Sequence, residues 1–234
     1  MSRLLDLLYP RRCPVCGEII PFAKAVCGCT KQQVCRLPAG ACEHCGAPQD
    51  RCTCEEPTNR TLRHITAPFV YADLIRAQLL SLKLQGEKQL AKPLGAQMAL
   101  RFAERFPQAE IDVVTFVPMT RAAQRERGYN QGALLAQQVG QLLLLPVAPL
   151  LQKGTETEHQ RSLNAQQRLE NLRGAFSSAP GAQIQGKTVM LCDDIKTTGS
   201  TLWECETTLM AAGAADVFCL CCAVTAYDVG NPLL

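Results

Sequence analysis

An α/β fold, a parallel sheet flanked by helices with a small cysteine-rich module in front of it, is what this sequence predicts. Three observations carry that expectation. From residue 65 onward, short apolar runs alternate with longer runs of helical spacing, the pattern of βαβ units and a parallel sheet. One apolar run, Thr188-Val189-Met190-Leu191-Cys192, ends in two adjacent carboxylates and a Thr/Gly/Ser loop. Nine of the 14 cysteines fall in the first 54 residues, in close pairs.

The elements follow in order. The polar break Glu55-Glu56-Pro57-Thr58-Asn59 separates a module of residues 1–57 from a domain of residues 58–234. Residues 65–71 read as a strand that Pro68 confines to an edge or bulge. Leu74, Ile75, Leu79, Leu80, Leu82 and Leu84 share helical spacing, and Gly86 follows where a C′ residue ends a helix. Residues 90–106 form a second helix with Pro93 in its first turn, and the β-branched run 112–117 suits a buried parallel strand. Then come a helix over 134–145, a strand over 188–192, a helix over 202–212 and a strand over 216–224. Ligands of such sheets bind beyond the strands' carboxyl ends, where Asp193 and Asp194 lie.

With 234 residues, 47% of them hydrophobic, the chain has material for one sizeable core. No apolar run reaches the roughly 18–20 residues of a membrane span; the longest, 142–151, is broken by Pro146 and Pro149. The leucines at 4, 5, 7 and 8 are interrupted by Asp6 and Pro10 and lack a signal-peptide cleavage site. A cytoplasmic protein is expected. Up to His64 there are nine Lys/Arg against six Asp/Glu, which accounts for the whole net charge of +3. That surplus is an ordinary solvated surface and does not by itself indicate nucleic acid.

The N-terminal cysteines have metal-ligand spacing. Cys13-Pro14-Val15-Cys16-Gly17 and Cys42-Glu43-His44-Cys45-Gly46 are two knuckles with a trailing glycine, followed by the tighter pairs Cys27-Gly28-Cys29 and Cys52-Thr53-Cys54. In a reducing compartment such pairs bind metal rather than form disulfides. Eight thiolates would fill two tetrahedral zinc sites, structural because all-cysteine sets leave no open position. The sets are sequential (Cys13, Cys16, Cys27, Cys29 and Cys42, Cys45, Cys52, Cys54) or cross-braced, and Cys35 competes for Cys27 or Cys29. His44 reads as a bystander. So short a module draws its stability from metal. Cys192, Cys205, Cys219, Cys221 and Cys222 lie in apolar surroundings and read as small core residues.

The carboxylate strand carries the chemistry. Asp193 and Asp194 can accept hydrogen bonds from vicinal sugar hydroxyls. The loop Lys196-Thr197-Thr198-Gly199-Ser200-Thr201, opening a helix, presents backbone N–H groups to a phosphate. The competing reading is a strand with an acidic edge and a plain turn. Arg121, Arg125 and Arg127, with Gly128, follow the strand that ends at Val117-Pro118; as a loop they can hold a diphosphate, Arg bidentately, or form a basic solvated surface. Lys153, Thr157, Gln160 and Arg168 belong to a long polar stretch before the signature strand, suited to a lid.

Asp193 to Thr201 resembles the phosphoribosyl-pyrophosphate (PRPP) signature of type I phosphoribosyltransferases. With the cysteine knuckles, Leu82-Lys83-x-x-Gly86, Arg125-x-Arg127-Gly128-Tyr129-Asn130-Gln131 and Thr157-x-x-Gln160…Arg168-x-x-Asn171, nearly the whole chain resembles the ComF family. That resemblance implies a double zinc ribbon joined to a phosphoribosyltransferase domain with a hood region within 58–110, and a link to natural transformation, the uptake and use of external DNA. It implies that Asp193 and Asp194 face the ribose, that Thr197, Thr198, Gly199, Ser200 and Thr201 cradle the 5′-phosphate, and that magnesium accompanies PRPP. Two departures stand out: CxC pairs where the family has CxxC, and Lys153 where it has arginine.

Two functions of different class remain open. One is an enzyme that breaks the C1–O bond of PRPP, with Asp193 and Asp194 beside the developing ribose cation and magnesium and the arginines on the diphosphate. The other is a non-catalytic module that senses PRPP or a nucleotide, or binds single-stranded DNA alongside proteins of the competence machinery. For the latter, Arg3, Arg11, Arg12, Lys24, Lys31, Arg36 and Arg51 would meet the phosphate backbone, although aromatics at 5% offer little stacking surface. Ammonia release from glutamine is not expected, since the front cysteines read as metal ligands.

Overall fold

The structure is a computed structural model, and it describes residues 13, 19, 35–52, 54–55, 61–154 and 174–225. Among these, seven strands and five α-helices follow one another as β1 (His64–Thr66), β2 (Phe69–Val70), α1 (Asp73–Leu84), α2 (Ala91–Arg105), β3 (Val113–Phe116), α3 (Arg121–Arg127), α4 (Gln131–Leu143), β4 (Leu151–Lys153), β5 (Phe176–Ser178), β6 (Thr188–Lys196), α5 (Ser200–Ala211) and β7 (Asp216–Val224).

The main sheet has five strands in the order β1-β7-β6-β3, with β2 also on β7, and every pairing in it is parallel. The central strands are apolar throughout: Val217 to Val224 of β7 are all buried, as a strand covered on both faces requires. Two cores result. On one face Val189, Leu191, Cys219 and Cys221 pack with Leu202, Cys205 and Leu209 of α5. On the other Met190, Cys192, Leu220 and Cys222 pack with Ile75, Leu79, Met98 and Leu135 of α1, α2 and α4. The alternation along β6 and β7 thus feeds two layers of helices. The five C-terminal cysteines are all fully buried, as expected of small core residues.

Pro68 does split the first strand: β1 and β2 pair with β7 at the edge, on either side of it. Gly86, at φ +76°, follows α1 directly after its C-cap Gln85. Two expectations need correction. The signature strand does not end at Cys192; β6 runs to Lys196, because Ile195 and Lys196 find partners in Ala223 and Val224 of the longer β7. The arginine stretch is not a loop but the two-turn helix α3, started by the Thr120 hydroxyl, which accepts the Ala123 N–H at 3.2 Å, and stopped by Gly128 at φ +79°.

The cysteine-rich module is seated on the β1–β2 edge. The Leu62 and Ile65 N–H groups donate to the carbonyls of His44 and Glu43, Leu37 N–H donates to Pro68, and Val70 N–H to Cys35. Leu37 and Ala41 join the first core.

Candidate functional site

The carboxylate pair sits near the carboxyl end of β6, the position parallel-sheet topology reserves for ligands. Asp194 is 7% exposed and Asp193 half-buried. Asp193 accepts the Asp194 N–H at 2.9 Å, and Asp194 accepts the Ile195 N–H at 3.0 Å. Burial, then the charge of Asp194 beside it, raises Asp193 well above the usual carboxylate range. The start of α4 comes in against this pair. Asn130 caps the helix by accepting from Ala133 N–H and ties it to β3 by donating to the Val117 carbonyl at 3.0 Å. Gly132 makes the approach possible: a Cβ there would lie 3.2 Å from Asn130 Oδ1 and 3.8 Å from Asp193 Oδ1.

The loop after β6 leads directly into α5. Thr197 and Thr198 are exposed, and Gly199 adopts φ +82°, a left-handed conformation that glycine takes without strain. The Thr198 and Ser200 hydroxyls lie 3.0 Å apart. Twelve-residue α5 starts at Ser200 after the N-cap Gly199, which has no side chain to cap it; the Thr198 hydroxyl accepts the Ser200 N–H at 3.4 Å, and the next N–H groups and the helix dipole face the loop. Lys196 lies beneath rather than in the loop: it is 4% exposed, and a Cβ on Gly199 would come 3.0 Å from its Cε. Burial lowers its ammonium, against the opposing influence of the thiols of Cys45 and Cys221.

Arg121 and Arg125 are exposed one turn apart on α3, while Arg127 is half-buried and turned toward Gln131. Tyr129 donates its hydroxyl to the Leu82 carbonyl, joining the turn after α3 to the end of α1, and the Lys88 ammonium lies 4.8 Å from its ring centre. Lys153 ends β4, which pairs antiparallel with β5, and its ammonium is 5.6 Å from the Phe176 ring centre. Thr157, Gln160 and Arg168 lie outside the described residues. Gln131, quoted above only as part of a motif, is the site residue without an assigned role; the signal was an amide directly after the arginine turn.

Four thiols of the second knuckle and its CxC pair come together. The Sγ atoms of Cys42, Cys45, Cys52 and Cys54 all lie within 4.8 Å of one another, Cys42 to Cys54 at 3.6 Å and Cys45 to Cys52 at 3.7 Å. A sulfur tetrahedron around a metal at about 2.3 Å has edges of about 3.8 Å, so the residues present fit such an ion. The second set is therefore sequential. Burial works to raise Cys42, but backbone N–H groups of His44 and Cys45, with the Cys54 and Cys52 thiols, outweigh it and bring the thiol down to about 7, while burial raises Cys54. His44 is no ligand: its Nδ1 lies 3.1 Å and 3.0 Å from the carbonyls of Leu62 and Arg63. Cys35 is exposed and apart from this cluster. Cys13 is buried, and Cys16, Cys27 and Cys29 lie outside the described residues.

Fold and site together define an α/β protein with a four-cysteine cluster on its sheet edge and a carboxylate-to-helix loop at the sheet's carboxyl end. No family model matches the chain. Curated relatives match nearly all of it. It is 30% identical over 217 residues to the DNA utilization protein YhgH of Escherichia coli, covering 89% of each chain. It is 29% identical over 219 residues to competence protein F of Haemophilus influenzae, covering 88% of this chain and 93% of that protein. Competence protein ComFC of Bacillus subtilis is 23% identical over 199 residues, with 81% and 80% covered. The chain belongs to the ComF family, whose named members are competence and DNA-utilization proteins. Among solved structures it is similar to an allosteric regulatory enzyme of purine biosynthesis (25% identity, 56% of this chain, TM-score 0.39) and to an adenine phosphoribosyltransferase (19% identity, 58% of this chain and 69% of that one, TM-score 0.39). The chain spans about a quarter of the length of the first of these.

Proposed function

We propose that the site at the end of β6 binds PRPP with magnesium, and that the protein acts on this ligand in the handling of external DNA. The observation that carries the reading is the start of α5, with glycine at its N-cap, immediately after Asp193, Asp194 and the Gly199 turn. Donor N–H groups for a phosphate and acceptor carboxylates for a ribose diol then stand one loop apart. The diphosphate falls to the cationic side, Arg121, Arg125 and Arg127. Asp193, the more open acid, offers with the diphosphate the hard oxygen donors magnesium takes, and the ion would neutralise charge on the leaving group. In C1–O cleavage, Asp193 and Asp194 stabilise positive charge growing on the ribose. The four-cysteine cluster takes zinc in a structural role.

A second reading, a PRPP- or nucleotide-sensing module that binds single-stranded DNA without turnover, is favoured by the relatives' names, which speak of competence and DNA utilization. One experiment separates the two. The protein is incubated with PRPP and magnesium, with and without single-stranded DNA or free bases, and diphosphate release is followed. Release that disappears in the Asp193→Ala/Asp194→Ala variant supports the enzyme. Tight binding without release in any mixture supports the module, and no PRPP binding sinks both.

A further inference from the structure

We propose that Gln131 is a positioning residue that clamps Arg127 to Asp194 and so sets the spacing between the cationic and anionic halves of the site. The proposal rests on the PRPP reading. Gln131 opens α4 and is 8% exposed. Its Oε1 accepts from Arg127 Nη1 at 2.6 Å, and its Nε2 donates to Asp194 Oδ2 at 3.3 Å. A neutral amide carries an acceptor and a donor on one planar group, so it can bridge a guanidinium and a carboxylate in a single orientation. Swapping its oxygen and nitrogen would oppose donor to donor at Arg127 and acceptor to acceptor at Asp194.

The bridge is anchored at both ends. The second oxygen of Asp194 already accepts the Ile195 N–H, so the carboxylate is held on two sides. Arg127 closes α3, whose direction is set by the Gly128 turn, and α4 is tied to the end of β3 through Asn130. α3, α4 and β6 therefore meet at one side chain. Arg121 and Arg125, exposed on α3, are carried by the same helix. Among the described residues, the side-chain hydrogen bonds of Gln131 go to Arg127 and Asp194. It acts through Arg127 and Asp194, which pre-organises charged groups that would otherwise have to be ordered when ligand binds.

The test measures PRPP affinity with magnesium by calorimetry, together with thermal unfolding, for the full-length protein. Gln131→Leu keeps the volume and removes both hydrogen bonds to charged groups; affinity is expected to fall about tenfold or more. Gln131→Glu keeps the acceptor for Arg127 but sets a second carboxylate against Asp194. Its affinity is therefore expected to fall about tenfold or more as well, because acceptor now opposes acceptor at Asp194. With Arg127→Ala, the effect of Gln131→Leu should be much smaller than in the natural background, because the two act as a unit. Gln131→Glu binding within twofold of the natural protein, or additive losses in the double variant, overturns the role; the first of these decides alone if Gln131→Leu does not fold. Gln131→Leu binding within twofold of the natural protein, while Asp193→Asn/Asp194→Asn loses PRPP, overturns the role and leaves the site reading intact. Failure of the natural protein to bind PRPP overturns the reading and the role with it.

Discussion

Burial raises Glu206, on α5, to about 7, although its carboxylate accepts the Arg63 backbone N–H at 3.0 Å. The sign follows from linkage. An acid whose folded pKa lies above its unfolded value contributes stability that is fully present below the unfolded pKa, about 4.5, and lost as pH rises through about 7. Between pH 5 and 8 the protein should therefore lose stability from this group, on the order of 2 kcal/mol once solvent screening is allowed for. Glu206→Gln, which keeps an acceptor for Arg63, should flatten that loss, so its melting temperature should exceed the natural protein's at pH 8 and approach it at pH 5. Asp216 nearby goes the other way: burial would raise it, but the Arg63 guanidinium at 2.7 Å holds it below the usual range. Asp193 and Asp194 were visible in the sequence as an adjacent pair. That one is sealed and bridged to Arg127 through Gln131 was not, because residues 127, 131 and 194 share no periodicity and meet only through packing.

At the scale of elements, two glycines show how closely the site's supports are packed. α2 and α4 cross at Gly95, where a Cβ would lie 2.6 Å from Gln138 Cβ and 3.3 Å from the Leu135 carbonyl oxygen. Gly95→Ala should cost about 1–3 kcal/mol through overpacking, read as a lower urea midpoint with an unchanged slope. Gly199→Ala forces a non-glycine residue into left-handed backbone, worth about 1–2 kcal/mol, and pushes on Lys196. On the proposed reading it should weaken PRPP binding by more than its loss of stability suggests, because the strain falls on the loop proposed to seat the phosphate. Most elements were legible from periodicity, β7 to the residue. The misses have physical causes. β6 outruns its apolar pattern because a long neighbour supplies hydrogen bonds to its end. α3 forms from a run of charges because Thr120 and Gly128 cap it. The short antiparallel pair of β4 and β5 joins segments 25 residues apart, too far for a turn signal.

For the whole molecule, the four-cysteine cluster and the sheet are one packed unit. Gly46, between Cys45 and Ala47, faces Val224 and Ile65, with a built Cβ 3.3 Å from Val224 Cγ1. Val224 is the cross-strand neighbour of Lys196, which lies under the Gly199 turn. Stripping metal, or changing Cys42 and Cys45 to Ser, should therefore do more than unfold the module. The expected outcome is a lower melting temperature and faster hydrogen exchange at the Leu62, Ile65 and Val70 amides, which donate to residues 44, 43 and 35, while amides of β6 stay protected. Metal analysis of the natural protein should find the Cys42–Cys45–Cys52–Cys54 site filled.

Alternation of period-2 and helical spacing, paired cysteines and paired acids are local properties of the chain, so the α/β class, the second cysteine set and the acid pair near a strand's carboxyl end could be read from residue order alone. Which four sulfurs converge, where the cysteine module rests, how far β6 runs and which amide joins Arg127 to Asp194 depend on residues tens of positions apart. Those contacts exist only once burying two apolar faces of a parallel sheet has fixed β3, β6, α3 and α4 against one another.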